Sequence, residues 1–210
     1  KFLQTNWVEV VNTLNKTVTA TLYFRGADGS LLANPVTQAI KAKAQYHFNA
    51  SALLPKNGTG TVELRASDKG ALIAQSLVYY HDSSANKVQT AYASQGRIAG
   101  QNVQSGSINT FLGMTDTVKL LSAVQSPVSV TAELRTFDAG SPVKTTTIQL
   151  NAMATGSVST ALGSALSTQA DRYGALTLRS AQPGVFAAEV LRERIGADGI
   201  VDFAFPTAIQ

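Results

Sequence analysis

Apolar and polar residues alternate with a period of two along much of the chain. In the first half, the clearest apolar series occupies every second position of residues 17–24: Val18, Ala20, Leu22 and Phe24. The second half has a similar series in residues 128–135: Val128, Val130, Ala132 and Leu134. Because successive side chains of a β-strand point to opposite faces, this alternation predicts half-buried strands. Segments rich in Gly, Asn and Asp, such as residues 25–30 and 196–199, supply the turns between them.

The second half of the chain repeats the first. Residues 59–80 match residues 173–194 at a constant offset of 114. The matched pairs include Gly60 with Gly174, Leu64 with Leu178 and, at an offset of 112, Leu22 with Leu134. The matches keep the same order in both halves, and the offset drifts by only a few residues, as expected where loops change length. An ordered series of this kind predicts two homologous domains, at residues 1–100 and 107–210.

Strand length and repeat length together indicate the fold class. Strands of about six residues in units of about 100 are typical of sandwiches of immunoglobulin-like size. We therefore expect an all-β chain of two tandem homologous antiparallel β-sandwich (Ig-like) domains, connected through the polar residues 94–104. The chain has no Cys, which excludes the Cys–Trp–Cys core of antibody domains. This architecture resembles the tandem immunoglobulin-like or fibronectin-like modules of bacterial surface proteins, and the resemblance implies an interaction or spacer role.

Composition and charge exclude several classes of function. The absence of Cys rules out disulfides, thiolate metal sites and cysteine nucleophiles. Although the formal net charge is +4, the 17 Lys and Arg residues are scattered, so we expect no nucleic-acid partner. No run of 18 or more apolar residues occurs, and we predict no transmembrane segment.

The residues that could carry catalysis do not form a recognisable motif. His47 is predicted on the exposed face of a strand, and His81 precedes Asp82 on an extended segment, where adjacent side chains point apart rather than converge. Four aspartates in turns are expected to close those turns rather than to bind calcium: Asp28, Asp68, Asp138 and Asp198. We therefore predict a protein that is not an enzyme, with no catalytic residue, no metal site and no cofactor.

Aromatic residues are the remaining candidates for contact with a ligand or partner. They lie on predicted strands or in the apolar C-terminal segment: Trp7, Tyr23, Tyr79, Tyr80, Phe203 and Phe205. The absence of catalytic motifs, the low charge and the duplication favour a non-enzymatic structural or adhesive protein, extracellular or at the cell surface. It would act through protein–protein contacts, including self-association into a fibre or surface layer. The alternative is a carbohydrate-binding accessory module in which Tyr23 stacks on a glycan.

The two ends of the chain leave a second question open. Residues 1–11 and 200–209 are both apolar and strand-like. Either segment can complete its own domain or be lent to a neighbouring molecule as an added strand. Phe203 and Phe205 share one face of the second segment and would form an exposed apolar row if unpaired.

Overall fold

The computed structural model describes residues 3–54, 60–82, 87–136, 140–166 and 173–210. This part of the chain is all-β, with four antiparallel sheets and only short helical segments. The chain divides into two compact units, unit 1 (Lys1–Gly96) and unit 2 (Arg97–Gln210). No helix in the described part is long and apolar enough to cross a membrane.

Unit 1 contains seven strands among its described residues. They are β1 (Leu3–Asn12), β2 (Val18–Gly26), β3 (Val36–Ile40), β4 (Gln45–Asn49), β5 (Gly60–Ala66), β6 (Leu72–His81) and β7 (Val88–Gln95). One sheet has the order β4-β1-β6-β7 and the other β3-β2-β5. A short 3₁₀ helix (Ala50–Ala52) follows β4, and its first turn is capped by the Asn49 side chain, which accepts a hydrogen bond from the Ala52 N–H.

Unit 2 contains eight strands in its described part. They are β8 (Val103–Asn109), β9 (Thr115–Ser122), β10 (Val128–Thr136), β11 (Lys144–Leu150), β12 (Thr155–Ser157), β13 (Tyr173–Arg179), β14 (Phe186–Ile195) and β15 (Val201–Ala208). The sheets have the orders β12-β9-β14-β15 and β11-β10-β13-β8. The helical segments are a 3₁₀ helix (Phe111–Gly113), α1 (Val158–Leu162) and a second 3₁₀ helix (Gly163–Leu166).

The two units have the same strand order except for β8. Strands β1 to β7 correspond in sequence order and sheet position to β9 to β15, while β8 is added beside β13. Local details agree with this correspondence. The Asn12 N–H donates to the Ala44 carbonyl and the Ser122 N–H to the Ala154 carbonyl, each at 2.9 Å. Gly60 and Gly174, which the alignment matched, serve the same purpose. A Cβ atom on either glycine would collide with the backbone of the neighbouring strand, β2 or β10.

One detail of the sequence alignment is wrong. Leu64 lies opposite Leu22 in unit 1, whereas Leu178 lies opposite Ala132 in unit 2. Leu22 therefore corresponds to Ala132 at an offset of 110, and not to Leu134 at an offset of 112. A shift of two residues leaves every side chain on the same face of a strand, so alternation alone cannot detect it.

Each unit has its own hydrophobic core, built from both of its sheets. In unit 1, Val10 comes from one sheet and Leu22 and Phe24 from the other, and all three are fully buried. Fully buried Asn12 is satisfied within this core, because its amide group donates to the Ile40 carbonyl at 3.0 Å and its side-chain oxygen accepts from a backbone N–H. The predicted alternation of buried and exposed positions is present in β2.

Both ends of the described chain complete their own units. β1 lies between β4 and β6, in the interior of its sheet. β15 pairs with β14 of the same unit, and Ile209 just beyond it is buried in the core of unit 2. Of the two alternatives that the sequence left open, this structure contains the one without strand exchange.

Candidate functional site

The two histidines and their neighbours do not converge. His47, on β4, lies with its Nε2 atom 3.4 Å from the Glu9 carboxylate on an exposed face. His81, at the end of β6, bonds through Nε2 to the Thr5 hydroxyl at 2.8 Å. The neighbouring Asp82 carboxylate accepts from Gln89 instead, at 3.4 Å. Ser83 lies outside the described residues. Histidine and carboxylate thus point to different partners, as expected for adjacent residues on an extended chain.

Two of the four turn aspartates, Asp28 and Asp198, accept hydrogen bonds from their own turns. Asp28 accepts from the N–H and the hydroxyl of Ser30, and these hydrogen bonds lower the pKa of Asp28 below its usual value. Asp198 accepts from the Ile200 N–H at 2.9 Å. Asp68 is bonded by the Lys16 ammonium group, and Asp138 lies outside the described residues. Within the described part of the chain no three His, Asp or Glu side chains are placed to hold a metal ion.

A charged cluster surrounds Tyr23 on the outer face of the β3-β2-β5 sheet. The guanidinium of Arg65 lies 4.6 Å from the centre of the Tyr23 ring and that of Arg25 lies 5.8 Å away. Both arginines also bond to Glu63, at 2.6 and 2.9 Å. The Arg65 guanidinium therefore covers part of the Tyr23 ring surface on which a glycan would stack.

Burial and the two arginines act in opposite directions on Glu63. Burial by itself would raise the pKa of Glu63, but the hydrogen bonds from Arg65 and Arg25 outweigh it and hold the pKa below its usual value of 4.5. A carboxyl group with a lowered pKa in the folded state stabilises the fold above its unfolded pKa. That contribution is lost as the pH falls through the folded value.

We expect Glu63→Gln to flatten the acid side of the stability profile of unit 1. The parent chain should lose stability as the pH falls from about 5, whereas the variant lacks this contribution. At neutral pH the variant should be less stable by about 0.5–1 kcal/mol, a small cost because the pair is partly exposed to water. Thermal unfolding between about pH 3 and pH 7 measures both effects. Parallel profiles for parent and variant would contradict the role of Glu63.

The other aromatic candidates of unit 1 lie apart from Tyr23. Trp7 on β1 and Tyr79 and Tyr80 on β6 are half-buried and belong to the other sheet. The Tyr80 ring lies 6.2 Å from that of Tyr92 on β7, tilted rather than parallel. The structure therefore does not bring these candidates together with Tyr23 in one aromatic platform.

Among the described residues, unit 2 carries several exposed aromatic side chains. Phe203 and Phe205 on β15 are 41 % and 53 % exposed, and their rings stack with centroids 6.5 Å apart. Sequence reasoning considered Tyr173 but did not pair it with Phe111. The two rings stack at 5.1 Å and are also exposed. The signal for this pair was weak, because Phe111 lies in a short 3₁₀ helix outside any alternating segment.

Comparison with known proteins adds no assignment: no family model, no curated protein and no solved structure matches this chain.

Proposed function

We propose that this chain is a non-enzymatic structural or adhesive protein that works outside the cell or at its surface through protein–protein contacts, including contacts between copies. The observation that carries the proposal is the exposed stack of Phe203 and Phe205 on the edge strand β15. Aromatic side chains contribute a large share of the binding energy at protein interfaces. Two of them exposed side by side cost free energy in water unless a partner covers them.

The contact is made by the phenyl rings rather than by strand addition. Pro206 lies in β15 and has no N–H group to donate to an added strand. The residues at both ends of β15 are already packed within unit 2. Val201, at its start, is buried, and Ile209, just beyond its end, lies in the core. A partner surface that covers the rings therefore leaves the fold of unit 2 unchanged.

We also infer that each unit is an immunoglobulin-like sandwich and that the two are homologous. The shared strand order of the sheets, together with the matched glycines at the start of β5 and β13, supports this inference. Repeated units that each bury their own core are suited to spacing and stacking in an extracellular assembly.

The double variant Phe203→Ser, Phe205→Ser tests the proposed contact. We expect the parent chain to associate with rising concentration in sedimentation velocity and to form regular particles in electron micrographs. The variant should associate at least about tenfold more weakly, because both ring contacts are lost. Ile73→Ser is the matched control, since Ile73 is 61 % exposed and lies in unit 1. A parent chain that stays monomeric, or a variant that associates like the parent, would overturn the proposal.

A further inference from the structure

Among the described strands of unit 1, β5 lies at the edge of its sheet and has no counterpart of the strand β8 beside it. In unit 2, β13 lies between β10 and β8. In unit 1, β5 pairs with β2 on one side, and no described strand lies on the other. Strand β8 therefore shows, within the same chain, which kind of strand can pair with an edge of this type.

The backbone of β5 presents hydrogen-bonding groups outward at the same positions that β13 uses. The Ser67 N–H donates to the Thr19 carbonyl. The N–H and C=O groups of the odd-numbered residues of β5 therefore point toward β2, and those of the even-numbered residues point away from it. In unit 2, Ser105 exchanges backbone hydrogen bonds with Gln210 on the far side of β8. Consequently Gln104, Gly106 and Ile108 face β13.

These positions align between the units. Ile108, Gly106 and Gln104 lie opposite Gly174, Leu176 and Leu178, whose counterparts in unit 1 are Gly60, Val62 and Leu64. The N–H and C=O groups of Gly60, Val62 and Leu64 thus point outward from β5, at the positions where β13 bonds to β8. An edge of this kind is a template for an added strand.

Side-chain burial follows the same difference. Leu176 and Leu178 are 0 % exposed, whereas Val62 and Leu64 are only partly buried at the margin of the unit 1 core. Behind them, Phe186 is fully buried, while its counterpart Leu72 is partly buried. The partly buried apolar side chains of Val62, Leu64 and Leu72 therefore lie at the margin of the core along the open edge, and we call this surface the β5 groove.

In unit 2 the side chain of Ile209 fills space beside β8, and the corresponding position in unit 1 has no side chain. A Cβ atom on Gly106 would lie 3.0 Å from Ile209, which enters the core beside β8. The residue at the corresponding place in unit 1 is Gly96, whose N–H donates to the Ala74 carbonyl as that of Ile209 donates to the Ala188 carbonyl. Because Gly96 has no side chain, a strand in the β5 groove can carry a larger residue opposite Val62.

We propose that the β5 groove binds an extended strand of another polypeptide, antiparallel to β5 and with the side-chain pattern of β8. A large apolar residue lies opposite Gly60, a medium-sized apolar residue opposite Val62, and polar residues occupy the outward positions between them. This inference rests on the proposed function, binding to other proteins, but it concerns a surface in unit 1 and not the phenyl rings of β15.

Amide hydrogen exchange of the 210-residue chain tests the proposal directly. The probe is a synthetic peptide of residues 101–110 that carries Gly106→Val, and the control peptide carries Ile108→Asp in addition. Without peptide, the Val62 and Leu64 amides should exchange much faster than those of Leu176 and Leu178. The probe should slow exchange at Val62 and Leu64 by about tenfold or more, and the control peptide should not.

Two variants of the chain provide matched controls. Val62→Pro removes an outward N–H without breaking a hydrogen bond to β2, and it should abolish peptide binding. Thr37→Pro removes an outward N–H from β3, at the opposite edge of the same sheet, and it should leave binding unchanged. The exchange measurement on the parent chain remains decisive if Val62→Pro fails to fold.

Three results would overturn the proposal. They are the absence of binding at about 1 mM peptide, binding that leaves the Val62 and Leu64 amides unprotected, and a dimer in which these two amides are already protected without peptide. The last result would assign the groove to a second copy of β5. Loss of association in the β15 double variant leaves this experiment unaffected, so the two proposals fail separately.

Discussion

Arg192→Met is expected to lower the melting temperature of unit 2 by about 10–20 °C. Arg192 donates from Nε to the Asp116 carboxylate at 2.8 Å, and the Asp116 side chain is only 1 % exposed. The other carboxylate oxygen accepts the Asn109 N–H, which ties the end of β8 to β9. Removing the guanidinium leaves a buried carboxylate without its counter-charge, which costs about 3–5 kcal/mol. Thermal unfolding followed by calorimetry measures the change.

The loss should depend on pH in a defined direction. Burial raises the pKa of Asp116 above 3.8, against the opposing hydrogen bonds of Asn109 and Arg192. Without the Arg192 charge the pKa rises further. A carboxyl group with a raised folded pKa stabilises the fold below its unfolded pKa, and this stabilisation is lost as the pH rises through the folded value. The stability that Arg192→Met loses relative to the parent chain should therefore be smallest near about pH 4 and largest at neutral pH.

Two further variants distinguish the loss of the Arg192 counter-charge from a general loss of stability caused by changing β14. Arg194→Met removes an arginine two residues along β14 that pairs with Asp202 at the surface, where both side chains are about 40 % exposed. It should leave the melting temperature close to that of the parent. Adding Asp116→Asn to Arg192→Met removes the buried charge and should recover most of the loss. Equal effects of Arg192→Met and Arg194→Met would contradict the role assigned to the buried pair.

Alternation predicted the strands because burial in a sheet has a period of two. The series around Leu22 and Phe24 became β2, with the expected buried and exposed positions. Matching the two halves was accurate from Gly60 onward, where the glycines occupy equivalent positions against the backbone of a neighbouring strand. It failed by two residues upstream, because any even shift preserves the pattern. Lys43 and Met153, both with positive φ, mark the correct offset of 110, but neither residue type signals that conformation.

The sequence did not predict which strands lie at the edges of the sheets. β8 has no counterpart among the described strands of unit 1, and its alternation is weak because Gly106 and Gln104 occupy two inward positions. The buried pair of Asp116 and Arg192 was also missed, since the partners lie 76 residues apart and neither belongs to a motif. By contrast, spacing alone placed Phe203 and Phe205 on one face of a strand, where their rings stack. Both are exposed although that strand is paired with β14.

Leu178→Ala is expected to destabilise unit 2 by about 2–5 kcal/mol, the usual cost of deleting a fully buried leucine side chain. Leu64→Ala, at the equivalent position of unit 1, should cost only about 1–2 kcal/mol. Leu64 is partly exposed along the open edge, so less apolar area leaves water on folding and water can enter the space that is left. Calorimetric unfolding of both variants measures the difference.

Leu22→Ala is the control within unit 1, because Leu22 is 0 % exposed and lies directly opposite Leu64. It should cost as much as Leu178→Ala. If Leu22→Ala were as mild as Leu64→Ala, the whole core of unit 1 would be loosely packed and the open edge would not explain the difference. If instead Leu64→Ala cost as much as Leu178→Ala, Leu64 would be fully covered in solution. That result would contradict an open β5 groove.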